Sequence, residues 1–248
     1  MIAARQIAFG KAAGKKEEPP AYWGLCFTAE EAGSTVAMRA FGSAPAVTLE
    51  TSFDGEIWEP FTVGETTITL PNVGDKVYFR AGEGGNTAMA SSPRAYNKFS
   101  IITGRISASG NIMSLLNRDV PDSIMPRYCF ASLFNGCTSL AQAPELPATT
   151  LATYCYANMF RGCASLAQAP ELPATTLATK CYGYMFDGCR NIDCIKCSFE
   201  AFGDGTSDWL SNVSPIGTFI CPTALGTNET IQRGASYCPE GWTVINED

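Results

Sequence analysis

The sequence predicts an α+β chain: an N-terminal antiparallel β-sandwich followed by a short solenoid of stacked repeats. Three observations carry that prediction. Residues 47–61 read VTLETSFDGEIWEPF, two strand-like runs about Asp54-Gly55, a dipeptide that accepts the positive φ of a hairpin turn. Residues 137–163 read CTSLAQAPELPATTLATYCYANMFRGC, and at Cys163 the text begins again as CASLAQAPELPATTLATKC. Within a copy, Leu151, Cys155 and Met159 recur at the four-residue interval of one helix face.

Composition narrows the class before any motif is read. With 248 residues, 46% hydrophobic and 17% charged, the chain has the apolar content to fold. A net charge of −7 argues against nucleic acid as a partner, because phosphate neutralisation needs clustered Lys and Arg. The chain has no histidine, which removes Ser-His-Asp and Cys-His catalysis and the commonest zinc ligand. No apolar run is long enough to span a bilayer. No continuous apolar stretch follows Met1 as a secretory signal requires, so folding in a reducing cytoplasm is expected.

Taken in order, residues 1–20 are expected to form an extended N-terminal arm. MIAARQIAFGKAAGKKEEPP has too little apolar surface for a core of its own; it is therefore read as a tail or a docking arm. Residues 21–103 are assigned to the β-sandwich. Val47 and Leu49, then Ile68 and Leu70, alternate with polar neighbours. TTITLP and KVYFRA are separated by the turn formers Pro71, Asn72 and Gly74, and KFSIIT at 98–103 would be the last strand.

Residues 104–222 are assigned to the repeats. Cys129, Cys155 and Cys181 stand 26 apart, as do Cys137, Cys163 and Cys189, a period within the range of leucine-rich repeats. Phe134, Phe160 and Phe186 keep an aromatic, and Gly136, Gly162 and Gly188 do not vary. Equivalent residues of stacked repeats superpose into apolar ladders that no single copy buries alone. Each copy is expected to pair a short helix over TTLATYCYANMF, closed by Gly162, with a short parallel rung over SLAQAPELP. Pro144 and Pro170 should lie outside the hydrogen-bonded rungs. Beyond Cys197 the period is lost, and residues 223–248 are read as a cap and polar tail.

Chemistry-bearing residues are few. Stacked cysteines point their Cβ atoms in parallel, so buried free thiols are expected over disulfides. Cys194-x-x-Cys197 lacks the second pair of a zinc site. Glu200, Asp204 and Asp208 do not match a calcium loop. Neither a catalytic residue nor a cofactor or metal site is assigned. Trp58, Tyr78 and Trp209 have faces on which sugars stack, but the core is the reading preferred for them. Recognition is instead placed at positions that vary between copies, Ser132, Asn158 and Tyr184 at one and Arg161 and Asp187 at another.

MFRGCASLAQAPELP, with its aromatic, Gly-Cys pair, Ser-Leu and proline-ended strand, resembles the BspA-type leucine-rich repeat over about residues 108–222. The upstream SFDGEIWEPF, LPNVGDKVYFRAG and ASGNIMSLL resemble the β-domain that precedes such repeats in proteins of gut Bacteroidales and their phages. The resemblance implies a non-enzymatic surface or virion protein. The form expected here is a phage structural protein, a head-fibre, decoration or tail-associated component. Residues 1–20 would anchor it to other virion proteins, and the repeats would meet a host-surface protein or glycan, in a homo-oligomer. The alternative is a bacterial BspA-like cell-surface adhesion or interaction protein, from which the expected export signal is missing.

Overall fold

The computed structural model describes residues 24–119 and 125–247; the expected arm at 1–20 lies outside them. The described chain is β-rich, built from several sheets with no closed barrel. Its first part holds β1 (Leu25–Ala29), β2 (Ser34–Phe41), β3 (Leu49–Ser52), β4 (Glu59–Phe61), β5 (Thr67–Leu70), β6 (Lys76–Ala81), β7 (Ala90–Ser92), β8 (Ala95–Ile101) and β9 (Ile106–Ser109). Strand β9 pairs antiparallel with β1, so one strand follows the run expected to be last.

The hairpin at Asp54-Gly55 is present: Leu49 faces Phe61 across β3 and β4. Its loop is longer than a two-residue turn. Asp54 Oδ1 accepts the amides of Glu56 and Ile57 at 2.8 and 2.9 Å, and Gly55 takes φ +78°. Those bonds hold the Asp54 carboxyl below the usual carboxylate range. The two antiparallel groups, β9-β1-β6-β3-β4 and β5-β2-β8-β7, share a core in which Phe27 and Phe79 meet Phe99 edge-on at 4.9 and 5.1 Å.

The repeats contain no α-helix; the helical pieces among the described residues are short 3-10 turns, at Ile112–Leu115, Asp204–Thr206 and Thr223–Leu225. The expected helix is replaced by a chain of tight turns whose amides alternate in direction. Odd-numbered amides bond three residues back: Cys155 to Ala152, Ala157 to Tyr154, Met159 to Tyr156 and Arg161 to Asn158. Even-numbered amides bond forward to the next copy: Tyr156 to Cys181, Asn158 to Gly183, Phe160 to Met185 and Gly162 to Asp187, at 2.7 to 3.0 Å. Every fourth residue is left-handed, with Tyr154, Asn158 and Gly162 at φ +59°, +57° and +73°. A helix would spend its amides on bonds along its own axis, whereas this ribbon leaves alternate amides to bond the neighbouring copy.

The other edge of each copy is extended. β10 (Leu140–Gln142) pairs parallel with β9 and completes one sheet as β10-β9-β1-β6-β3-β4. β11 (Cys194–Lys196), β12 (Gly217–Cys221) and β13 (Trp242–Asn246) form a three-stranded parallel sheet. Between these, the second copy contributes single parallel bridges, Gln168 to Cys194 and Leu172 to Cys197. The rungs are short, and Pro144 and Pro170 fall outside the bridged residues, as expected.

Beyond Cys197 the period is not lost but shortened. Tyr182, Tyr184, Phe186 and Gly188 donate to Gly205, Ser207, Trp209 and Ser211, so residues 204–212 make a fourth turn ribbon, 24 positions on. Asp208 and Asn212 take the left-handed places of Tyr184 and Gly188 at φ +50° and +57°. β12 and β13 supply the matching rungs.

Two columns of rings run through the stack. Phe99, Phe134, Phe160 and Phe186 stack with centroids 5.4 to 5.7 Å apart. Phe130, Tyr156, Tyr182 and Trp209 follow at 5.9 to 6.2 Å. Phe99 belongs to β8, so the sheets and the copies share one continuous core. The thiols are free and, apart from the half-buried Cys194, buried. Cys137, Cys163 and Cys189 each donate to a carbonyl one layer back, those of Phe99, Phe134 and Phe160, at 3.1, 3.2 and 2.9 Å. Burial pushes Cys137, Cys181 and Cys189 from 9.0 up to about 12. They are neutral, inert members of the core.

Candidate functional site

The turn ribbon decides which side chains reach water. In the second copy Cys155, Tyr156, Met159 and Phe160 are buried, whereas Tyr154 and Asn158 are half-buried and Arg161 is exposed. The same three places in the third copy hold Lys180, Tyr184 and Asp187, and in the fourth Asp204, Asp208 and Ser211. Side chains of unlike chemistry thus stand in columns one layer apart, on a backbone fixed by the interlayer bonds.

Four of the five recognition residues expected from sequence lie on this face. Arg161 Nε and Asp187 Oδ2 are 2.9 Å apart, with side chains 50% and 13% exposed. Asn212 Nδ2 donates to the other carboxylate oxygen at 3.0 Å. The Arg161 guanidinium also lies 5.7 Å from the ring centre of Tyr184, which is 40% exposed. Asn158 is half-buried beside them in its column.

Ser132 differs: it is 2% exposed, which corrects its place among surface residues. The first copy lies against the β7–β8 hairpin, where Met89 donates to the Cys129 carbonyl and Phe99 to that of Leu133. Those bonds flank Ser132 and leave its side chain no route to solvent.

A second group escaped the sequence reading. Tyr128 and Tyr154 stack at 4.9 Å and 20°. Arg127 lies 4.9 Å from the first ring, and Lys180 lies 5.8 Å from the second. Its signal was the one used for Arg161 and Asp187, since Tyr128, Tyr154 and Lys180 occupy one repeat position, which changes at the third copy.

The aromatic residues considered for sugar stacking separate clearly. Trp209 is fully buried, its Nε1 donating to the Tyr237 carbonyl at 3.1 Å, and Tyr78 is buried. Trp58 is half-buried under the Arg80 guanidinium at 3.9 Å. A concavity of about 600 Å³ between residues 82–87 and 116–119 contains Arg118, which is engaged by Glu50 at 3.4 Å and Asp119 at 3.8 Å. Among the described residues no three His, Cys, Asp or Glu side chains converge as a metal site, and no helix is long and apolar enough to cross a membrane. Scans against protein-family models, curated proteins and solved structures found no match to the chain.

Proposed function

We propose that the chain is a non-enzymatic display protein of a phage virion, a head-fibre, decoration or tail-associated component that presents its stacked copies to a host-surface protein or glycan. In this reading the two antiparallel sheets are a β-sandwich spacer, and the copies are a short BspA-like solenoid in which turn ribbons stand where helices were expected. Residues 1–20 serve as the anchor to other virion proteins, in a homo-oligomeric assembly formed in the host cytoplasm. The observation that supports it most is the separation of tasks within each copy. Sealed ladders and interlayer amides hold the stack, while the outward columns carry side chains of different chemistry along the second, third and fourth copies. Such a surface suits contact with an irregular partner better than turnover of a substrate.

Mass spectrometry of purified particles tests the proposal. The chain should be found at a fixed stoichiometry, and its absence from particles overturns the reading. Recovery on the outer surface of intact bacterial cells would instead identify a cellular adhesion protein.

A further inference from the structure

We propose that Arg127, Tyr128, Tyr154 and Lys180 form a binding site for a carboxylate-bearing glycan, an inference that rests on the display reading and names its ligand class. Three features of the group point that way.

The first is charge. Arg80, Arg105, Arg118, Arg161 and Lys196 each have a carboxylate within 4.0 Å. Arg127 and Lys180 have none among the described residues, a lack they share with Arg39, Lys76, Arg94, Lys98, Arg190 and Arg233. These two are set apart by lying against one tyrosine pair, where Arg127 Nη2 also donates to the Tyr128 hydroxyl at 3.2 Å. On a chain of net charge −7, two such cations gathered at one aromatic pair make a local anion site.

The second is shape. The rings of Tyr128 and Tyr154 are stacked and half-buried; the Arg127 guanidinium lies 4.9 and 5.9 Å from their two centres, and Lys180 lies 5.8 Å from the second. A sugar acid offers the complement, an apolar C–H surface for the aromatic pair and a fixed charge for a neighbouring cation. A polyphosphate chain fits less well, because the surrounding negative charge repels every phosphate beyond the first few.

The third is the backbone. Tyr128, Tyr154 and Lys180 hold φ of +60°, +59° and +49°, a conformation that costs least with glycine. The same ribbon uses glycine at Gly136, Gly162 and Gly188. Side chains held at one φ in successive layers, with Tyr128 and Tyr154 donating forward to the carbonyls of Thr153 and Thr179, leave the ribbon in the same direction, so the stack itself holds the cluster in place.

The test is binding of the full chain to an array of uronate- and sialate-terminated oligosaccharides printed beside their neutral counterparts, with a DNA oligonucleotide as a second anion. Titration against the best ligand follows, for the wild type, the Arg127→Gln/Lys180→Gln double variant and an Arg190→Gln control. Unchanged circular dichroism establishes that the variants fold. We expect binding to carboxylated sugars only, weakened about tenfold or more in the double variant and unchanged in the control. No binding to any carboxylated glycan, equal binding to neutral sugars or DNA, or full affinity in the double variant each overturns the site. None of these results touches the detection of the chain in particles, so the two proposals fail separately.

Discussion

Tyr156 lies in the second ring column, between Phe130 and Tyr182, and its hydroxyl is the one buried side-chain polar atom without a partner among the described residues. Burial raises its proton affinity well above that of an ordinary tyrosine. An unmet buried hydroxyl costs about 1–3 kcal/mol, and Phe130 shows that the column accepts a plain ring. Tyr156→Phe is therefore expected to stabilise the protein by about 1 kcal/mol, read as a higher urea midpoint at unchanged slope. Two adjacent positions should behave oppositely. Phe160→Ala removes a fully buried ring from the first column and should cost about 3–5 kcal/mol. Arg161→Ala loses a half-exposed ion pair and should cost less than about 1 kcal/mol. Comparable midpoints for the two would mean that the ladder contributes little.

The turn ribbon explains which elements could be read from sequence. The copy length, the short parallel rungs and the displaced prolines were legible, because they follow from spacing and from proline's missing amide. The ribbon was not. Tight turns in series repeat every four residues, so Leu151, Cys155 and Met159 show the same interval that a helix face shows. The left-handed residues gave no warning either, since Tyr154 and Asn158 stand where glycine would have advertised the conformation. The fourth ribbon was hidden by its substitutions, Gly205 for Cys181 and Trp209 for Met185, although DWLSN at 208–212 does align with YMFDG at 184–188. The burial of Ser132 was invisible because it depends on β8, a strand distant in sequence. At the far end, β13 is an outer strand whose edge is covered by side chains. Asn228 bonds both the amide and the carbonyl of Val244, at 2.7 and 3.2 Å, and Arg233 donates to the Trp242 carbonyl at 2.7 Å. Bare edges recruit other strands. Asn228→Ala should lower stability by about 1–2 kcal/mol and produce concentration-dependent association in sedimentation velocity. Wild-type behaviour would show that β13 is protected by other means.

For the molecule as a whole, the buried thiols set an alkaline limit. Their proton affinity is raised in the folded state, so the folded protein holds protons that the unfolded chain releases. The stabilisation is complete below pH 9.0, the ordinary thiol value, and is lost as pH rises toward about 12. Each such thiol contributes a slope of about 1.4 kcal/mol per pH unit. Urea unfolding under reductant should therefore give a flat profile from pH 7 to 9 and a fall steeper than one proton's worth above it. A flat profile through pH 10.5 would place the thiols in contact with water.

The ammonium of Lys98 donates to the carbonyl of Asn135, the place where Gly136 meets Arg161 and Gly162 meets Asp187 one layer on. A side chain of the first part thus imitates the missing glycine amide of a layer that does not exist, and the sheets act as a template from which counting starts. Length then comes in whole units. Excising residues 138–163 in frame should leave a soluble, cooperatively folding protein shorter by one layer of about 4.8 Å, whereas cutting half that span should leave none.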